Sequence, residues 1–199
     1  MYSGSGFALE FAVKFLQPHV VELLIKHGAN IHHRQAITDW TLLVLTDYMG
    51  STSIGDEESS DEQIEEEDVP TIISIVKMLS EAGADINAHC SSAYYAIDYE
   101  GDTALNLCCC YDDKVKVVKL LLSSGALLDV LCKSDGRNAL LVAARHDNFG
   151  IVELLIRAGA DTTLRNLNGR NFIDLLKLPW NGECIRDSDL ECLNNFVYV

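Results

Sequence analysis

One twelve-residue segment occurs four times in this chain, and this internal repetition limits the possible folds more than any other feature. The copies read VVELLIKHGANI at 20–31, IVKMLSEAGADI at 75–86, VVKLLLSSGALL at 117–128 and IVELLIRAGADT at 151–162. A glycine occupies the ninth position of every copy. The last two copies are 34 residues apart, which is a period typical of proteins built from stacked helical repeats.

A second motif precedes the repeated segment in a constant phase. It reads GDTALNLCC at 101–109 and GRNALLVAA at 136–144, and GRNFIDLL at 169–176 begins a further copy. In the first half of the chain, GFALEFAV at 6–13 and DWTLLVLTD at 39–47 occupy the same position. Two motifs that recur in one order define a structural unit, and the longer intervals in the first half indicate insertions.

The chemistry of one unit predicts two helices and a turn. The first motif ends in small residues such as Ala143 and Ala144, which allow a neighbouring helix to approach closely. The second motif carries apolar residues at helical spacing, and its glycine stands where a left-handed residue ends a helix. A polar segment with Asp or Asn then forms a turn. One unit cannot bury its apolar face alone, so the units are expected to stack in single file.

Together the two motifs resemble the ankyrin repeat, whose family pattern is G-x-T-P-L-H-x-A-A…V-x-x-L-L-x-x-G-A-D-x-N. The match is best at 75–87 and 136–161, although Asn138-Ala139 replaces the Thr-Pro of the pattern. The resemblance implies an all-α solenoid of helix-turn-helix units, with about four to five repeats. The implied organisation is a repeat domain at 1–177, with repeats at about 5–35, 36–88, 98–132, 133–165 and 166–177 onward, followed by a C-terminal capping tail at 178–199.

An acidic insertion interrupts the second implied repeat at 49–70. Its sequence, MGSTSIGDEESSDEQIEEEDVP, contains nine Asp and Glu residues and no Lys or Arg. Like charges at this density disfavour compact structure, so we expect a disordered loop on the stack. A tolerated, solvated loop and a regulatory or docking segment both remain open. Ser53 and Ser59 each precede an acid by three residues, which resembles the sites of acid-directed kinases.

The composition excludes several classes of function. The formal net charge of −15 leaves no basic footprint for nucleic acid and would be repelled by anionic lipid surfaces. No apolar run is long enough for a membrane-spanning helix. The seven cysteines are odd in number and three are consecutive at 108–110, which indicates free thiols in a reducing compartment. We therefore expect cytoplasmic and/or nuclear localisation, with no nucleic acid or membrane partner.

Recognisable catalytic and metal-binding motifs do not occur in the sequence. It contains no GxGxxG or GxxxxGK[ST] phosphate loop, no GxSxG and no HExxH. Residues 108–109 fill small-residue positions of the first motif and are expected in the core, whereas Cys110 is expected to face outward. The pairs at 32–33 and 89–90 offer His and Cys side chains, but they form an incomplete zinc set. We expect no metal, no cofactor and no enzymatic activity.

The resemblance also implies where a partner binds. Ankyrin repeats bind other proteins through their turn tips and the exposed side of the first helix, which together form the concave face of the stack. Aromatic and arginine side chains, which are enriched at interface hot spots, occupy several of these positions. Carried over position by position, the implied partner-binding residues are Trp40, Tyr48, Tyr99, Glu100, Asp102, Tyr111, Ser134, Asp135, Arg137, Arg145, His146, Asn168 and Arg170.

The function implied by the resemblance is a non-catalytic protein–protein interaction module, monomeric on its own, that acts as an adaptor, inhibitor or regulatory subunit. Acidic residues at the middle turn and arginines in the last units indicate a partner of mixed charge. The alternative is an ankyrin domain that is a fragment of a larger enzyme, receptor or channel. The crowded first helix, with Phe7, Phe11 and Phe15, favours that alternative.

Overall fold

The structure, a computed structural model, describes residues 5–32, 69–89, 103–111, 114–133 and 135–177. Regular structure in these ranges is helical throughout, which confirms the predicted all-α fold and the helices predicted over the repeated segment. The helices of the described ranges are α1 Ser5–Lys14, α2 Pro18–Lys26, α3 Val69–Glu81, α4 Ala104–Cys108, α5 Val115–Ser123, α6 Ala139–Arg145, α7 Phe149–Arg157 and α8 Phe172–Leu176.

Side-chain caps begin the helices that carry the first motif. Thr103 Oγ1 accepts a hydrogen bond from the Asn106 N–H (3.3 Å), and Asn138 Oδ1 accepts one from the Leu141 N–H (3.0 Å). Asn171 caps α8 in the same way. Each cap provides an acceptor for an N–H group that has no partner within its own helix. The Thr or Asn of the first motif therefore fixes the start of the helix.

Glycine follows each helix of the second motif. Gly28, Gly83, Gly125 and Gly159 have φ angles of 76°, 92°, 92° and 95°. A side chain in this left-handed region clashes with the neighbouring carbonyl and costs roughly 1–2 kcal/mol, a penalty that glycine escapes. The helix-ending role predicted for these four glycines is confirmed.

The helices pack in two rows. The outer helices α2, α3, α5 and α7 lie side by side in chain order, and the inner helices α4, α6 and α8 form a second row. Helix α1 packs on α2, α4 on α5, and α6 on α7. Their apolar sides meet in one continuous core that includes Leu9, Ile75, Leu105, Leu140 and Leu155. Each unit thus buries its apolar surface against its neighbours, as the stacking prediction required.

Polar side chains connect the turn of one unit to the turn of the next. Asn87 Oδ1 accepts a hydrogen bond from the Leu127 N–H (2.8 Å), and one unit later Asp129 Oδ1 accepts from the Asp161 N–H (3.2 Å). Asp129 also accepts from Asn138 Nδ2 (3.0 Å). These bonds satisfy backbone groups outside the helices and hold successive turns in register.

The start of α3 corrects one predicted boundary. Val69 and Pro70, the last two residues of the predicted insertion, belong to this helix. Proline is favoured in a first helical turn because its missing N–H would have no partner there. The remainder of the predicted insertion and the predicted capping tail at 178–199 lie outside the described residues. Among the described helices, none combines the length and the apolar character that crossing a bilayer requires.

The consecutive cysteines at the end of α4 follow the prediction in part. Cys108 and Cys109 are buried in the core as expected, whereas Cys110, which was expected to face outward, is half-buried and packs against the core. All three, together with the buried Cys132, are thiols that form no disulfide. Small apolar side chains at 108 and 109 let α4 pack closely against α6, so their role is in packing.

Candidate protein-binding surface

Hydrogen bonds identify equivalent positions at the ends of the inner helices. After α1, the Gln17 N–H donates to the Ala12 carbonyl (2.9 Å). After α6, the Asn148 N–H donates to the Ala143 carbonyl with the same five-residue step (3.0 Å). The last turns of α1 and α6 are therefore superimposable in register, although their sequences differ.

This register places three large side chains in one repeated position. Phe15 and His146 each lie two residues before the donor of that hydrogen bond. Tyr111 follows the cap of α4 by eight residues, as His146 follows the cap of α6. We call Phe15, Tyr111, Arg145 and His146 the inner-helix row. All four keep part of their surface exposed, and three of them were predicted as partner-binding residues.

Two arginines, Arg137 and Arg145, lie close enough to His146 to act on it electrostatically. Arg145 is the last residue of α6, and the His146 ring that follows it is half-buried. Burial, together with the charges of Arg137 and Arg145, lowers the pKa of His146 to about 4. His146 is therefore neutral at physiological pH.

The turn at 132–137 holds two predicted site residues in a bonded arrangement. The Asp135 carboxylate pairs with the Arg137 guanidinium and accepts a hydrogen bond from the Cys132 thiol (2.7 Å). It also accepts from the Arg137 N–H (3.2 Å). Arg137 is only 8% exposed, so its side chain shapes the turn and its charge acts on nearby groups from below the surface.

The turn at 166–170 presents a second pair of predicted residues. Asn168 and Arg170 are exposed, and Asn166 Oδ1 accepts from both of their N–H groups, each at 3.0 Å. The Leu167 N–H donates to the carbonyl of Asp135 (2.8 Å), which ties this turn to the preceding one. Leu167 itself is 74% exposed. These bonds fix the turn, so its exposed side chains project from a preformed backbone.

The aromatic pair at the C-terminal end of α1 was not among the candidate binding residues predicted from the sequence. Phe11 and Phe15 are 58% and 56% exposed, and their rings stack with centroids 6.0 Å apart. The prediction treated the phenylalanines of this helix as crowding at the end of the stack. Aligning α1 with α6 by the spacing of their apolar residues would have placed Phe15 with His146, and this was the available signal.

The other predicted site residues lie outside the described ranges. This applies to the candidate contacts Trp40, Tyr48, Tyr99, Glu100, Asp102 and Ser134 and to the candidate phosphorylation sites Ser53 and Ser59. Two members of the His and Cys pairs, His33 and Cys90, also fall outside them. Among the residues that the structure does describe, no three His, Cys, Asp or Glu side chains are grouped as a metal site.

A comparison with known families decides what kind of stack this is. A family model described as ankyrin repeats, in three copies, matches residues 71–166. The chain is an ankyrin-repeat protein. The matched segment covers helices α3 to α7 and the turns between them, which include Tyr111, Arg145 and His146.

Membership of this family has a direct functional meaning. Ankyrin repeats are protein–protein interaction modules, and the family is generally non-catalytic. A stack of such repeats presents an extended surface assembled from equivalent positions of successive units. The inner-helix row and the turns at 132–137 and 166–170 are the candidate binding positions among the described residues of this ankyrin-repeat protein.

Proposed function

We propose that this protein is a non-catalytic adaptor, inhibitor or regulatory subunit that holds another protein on the inner face of its repeat stack. The single observation that carries the proposal is the inner-helix row. Phe15, Tyr111 and His146 recur at equivalent, partly exposed positions, and Arg145 lies one residue before that position in its own unit. Tyr111 and Arg145 are of the types enriched at interface hot spots.

The proposed mechanism is occupancy by a preformed surface. The inner helices are fixed by side-chain caps, and the exposed turn at 166–170 is closed by Asn166. A rigid surface of this kind loses little conformational entropy when a partner binds. The bound partner is blocked or positioned without any covalent step, so no cofactor takes part in this proposal.

The proposed setting is the cytoplasm and/or the nucleus, with the chain monomeric before it meets its partner. The thiols of Cys108, Cys109, Cys110 and Cys132 form no disulfide, which supports a reducing compartment. The residues predicted at 40, 48, 99, 100, 102 and 134 extend the proposed surface, and phosphorylation at Ser53 and Ser59 remains a prediction for its regulation.

A second candidate is an ankyrin domain that serves inside a larger enzyme, receptor or channel. The exposed stack of Phe11 and Phe15 favours it, because an apolar pair on a first helix is a natural site for a neighbouring domain. Both candidates use the repeats as a binding surface, and they differ in whether the partner is a separate chain.

Affinity capture from cell lysate with variant chains tests the proposal. The test variant is Tyr111→Ala with Arg145→Ala, which removes two members of the inner-helix row. The matched control is Lys119→Ala with Arg157→Ala, two exposed residues on outer helices of the same units. We expect the test variant to lose partners, identified by mass spectrometry, that the intact chain and the control retain. Equal capture by all three chains, each with an unchanged helical circular dichroism spectrum, contradicts the assigned surface.

A further inference from the structure

The outer helix of the first described unit exposes apolar positions that its later counterparts bury. The first position of the repeated segment is occupied by Val20, Ile75, Val117 and Ile151. The last three are 0%, 2% and 0% exposed, whereas Val20 is 40% exposed. The fifth position follows the same trend, because Leu24 is half-buried and its three counterparts are buried. In the described residues, one side of α2 is therefore less covered than the same side of α3, α5 and α7.

The packing of the outer helices identifies the neighbour that covers this side in the later units. Within the described ranges, the outer helix packed beside α7 is α5, which precedes it, and Ile151 of α7 is buried. The outer helix packed beside α2 is α3, which follows it, and Val20 of α2 is exposed. The first position of the segment therefore faces the preceding unit. Val20 faces the place that a preceding helix pair occupies in the later units.

The inner helix of the same unit adds exposed apolar surface. Phe11 of α1 and Val142 of α6 are equivalent, because each lies six residues before the donor of the hydrogen bond that follows its helix. Val142 is 2% exposed, whereas Phe11 is 58% exposed and its ring stacks on that of Phe15. On α2, Leu23 lies one turn after Val20 and is 56% exposed. Both helices of the first described unit thus carry exposed apolar side chains.

Hydrogen bonds hold these parts of α1 and α2 close together. The Gln17 N–H donates to the Ala12 carbonyl (2.9 Å), and the Gln17 carbonyl accepts from the Val20 N–H (3.1 Å). The first turn of α2 therefore lies against the last turns of α1, which begin next to Phe11. We call Phe11, Val20 and Leu23 the leading face.

The charge of this unit favours an apolar partner. Residues 5–32 contain two Lys and two Glu and neither Arg nor Asp, so the unit is neutral within a chain of net charge −15. Attraction at the leading face must therefore come from the burial of apolar surface. A terminal repeat normally has a polar outer face, which keeps a stack soluble. An apolar outer face instead indicates a surface that another molecule covers.

We propose that the leading face binds the apolar side of a helix pair of a partner protein, which stacks on α1 and α2 as a preceding unit does in the later repeats. The interfaces between the described units join the leading side of one unit to the trailing side of the unit before it. A second copy fits less well, because two apposed leading faces place Phe11 and Val20 against themselves. The inference goes beyond the proposed function, since this partner lies at the end of the stack and not on its inner face.

Isothermal titration calorimetry with a defined probe tests the leading face. The probe is a designed consensus ankyrin stack without its C-terminal capping repeat, so the apolar trailing side of its last helix pair is open. The matched probe keeps the capping repeat. We expect the full chain to bind the uncapped probe at least about tenfold more tightly than the capped one, with a negative change in heat capacity. Binding should not weaken between about 50 and about 500 mM salt, because it does not depend on charge.

Two pairs of substitutions locate the contact. Phe11→Gln with Val20→Gln should weaken binding of the uncapped probe about tenfold or more, because it removes apolar surface from both helices. The matched control is Leu127→Gln with Leu167→Gln, which changes two turn leucines that are 59% and 74% exposed and should leave affinity within about twofold. Equal weakening by both double variants, equal binding of the two probes, or self-association of the intact chain through the leading face would each overturn the inference.

Hydrogen exchange of the intact chain gives a second readout that needs no variant. The uncapped probe should slow amide exchange in α1 and α2 and leave exchange in α7 and α8 unchanged. Unchanged exchange in α1 and α2 at saturating probe would also overturn the inference. If the uncapped probe fails to bind while Tyr111→Ala with Arg145→Ala still loses captured partners, the leading face is withdrawn and the proposed function stands.

Discussion

The backbone of Asp147 adopts a conformation that is strained for a residue with a side chain. It has a φ of 58°, in the left-handed region that favours glycine, and Leu16 at the equivalent turn has a φ of 49°. We expect Asp147→Gly to raise the free energy of unfolding by about 1 kcal/mol, because glycine adopts this conformation without steric cost. Asp147→Ala is the matched control, since it removes the same carboxylate but keeps the Cβ. Urea unfolding should show a gain for Gly and no gain for Ala; equal effects would contradict backbone strain.

The lowered pKa of His146 predicts how the free energy of unfolding depends on pH. Its pKa is about 4 in the folded chain against 6.5 for an ordinary histidine, so the unfolded chain binds more protons between these values. The free energy of unfolding should therefore be level above pH 6.5 and fall as the pH drops towards 4. The loss should approach about 2 kcal/mol, after allowance for partial solvent exposure. In thermal melts, His146→Gln should flatten this part of the profile, and a profile that keeps its slope in this variant would contradict the assignment to His146.

The elements of this fold were predictable to the extent that they depend on local rules. The glycines after the outer helices act within one turn of chain, so the motif alone located them. The caps at Asn138 and Asn171 are equally local, but they were seen only in the structure. The start of α3 was placed two residues late because the acidic composition extends up to Pro70, which itself favours a first helical turn. The burial of Arg137 depends on the pairing and packing of its turn, which spacing alone did not reveal.

Asn148 links two units through a contact that neither sequence motif predicted. Its Nδ2 donates to the buried carbonyl of Cys109, at the end of α4, over 2.7 Å. We expect Asn148→Ala to lower the free energy of unfolding by about 1–3 kcal/mol, because the carbonyl loses its donor while remaining out of contact with water. Asn168→Ala, at an exposed turn position, should change it by less than about 0.5 kcal/mol. A similar loss for both variants in urea denaturation would show that the link between units is not the cause.

For the molecule as a whole, the repeated architecture determines how local contacts become a binding surface. Equivalent positions are separated by one unit, so a row of side chains on successive inner helices forms a continuous face from residues far apart in sequence. The motif phase predicts which positions contribute to this face, including Tyr111 and Arg145, and both are partly exposed in the structure. It did not reveal that the described residues contain 13 Lys and Arg against ten Asp and Glu, because the net charge of −15 of the whole chain conceals that local distribution.

The arrangement of the repeats in one row also predicts how local stability is distributed among them. Val21 and Val118 occupy the same position of the repeated segment, and both are fully buried. Val118 lies in α5, which packs between α3 and α7, whereas α2 has an outer neighbour on one side only within the described units. Truncation to alanine removes similar buried surface at each site and should cost about 1–3 kcal/mol locally. Because each repeat is coupled to its neighbours, the loss of stability caused by Val118→Ala in α5 should extend to more helices than the loss caused by Val21→Ala in α2.

Native-state hydrogen exchange distinguishes the two outcomes residue by residue. We expect Val118→Ala to reduce amide protection from α3 through α7, and Val21→Ala to reduce it mainly in α1 and α2. The physical reason is that opening a central repeat exposes two interfaces between units, whereas opening a terminal repeat exposes one. If both variants lower protection by the same amount in every helix, the chain unfolds as one cooperative block, and stability is not set by contacts between neighbouring repeats.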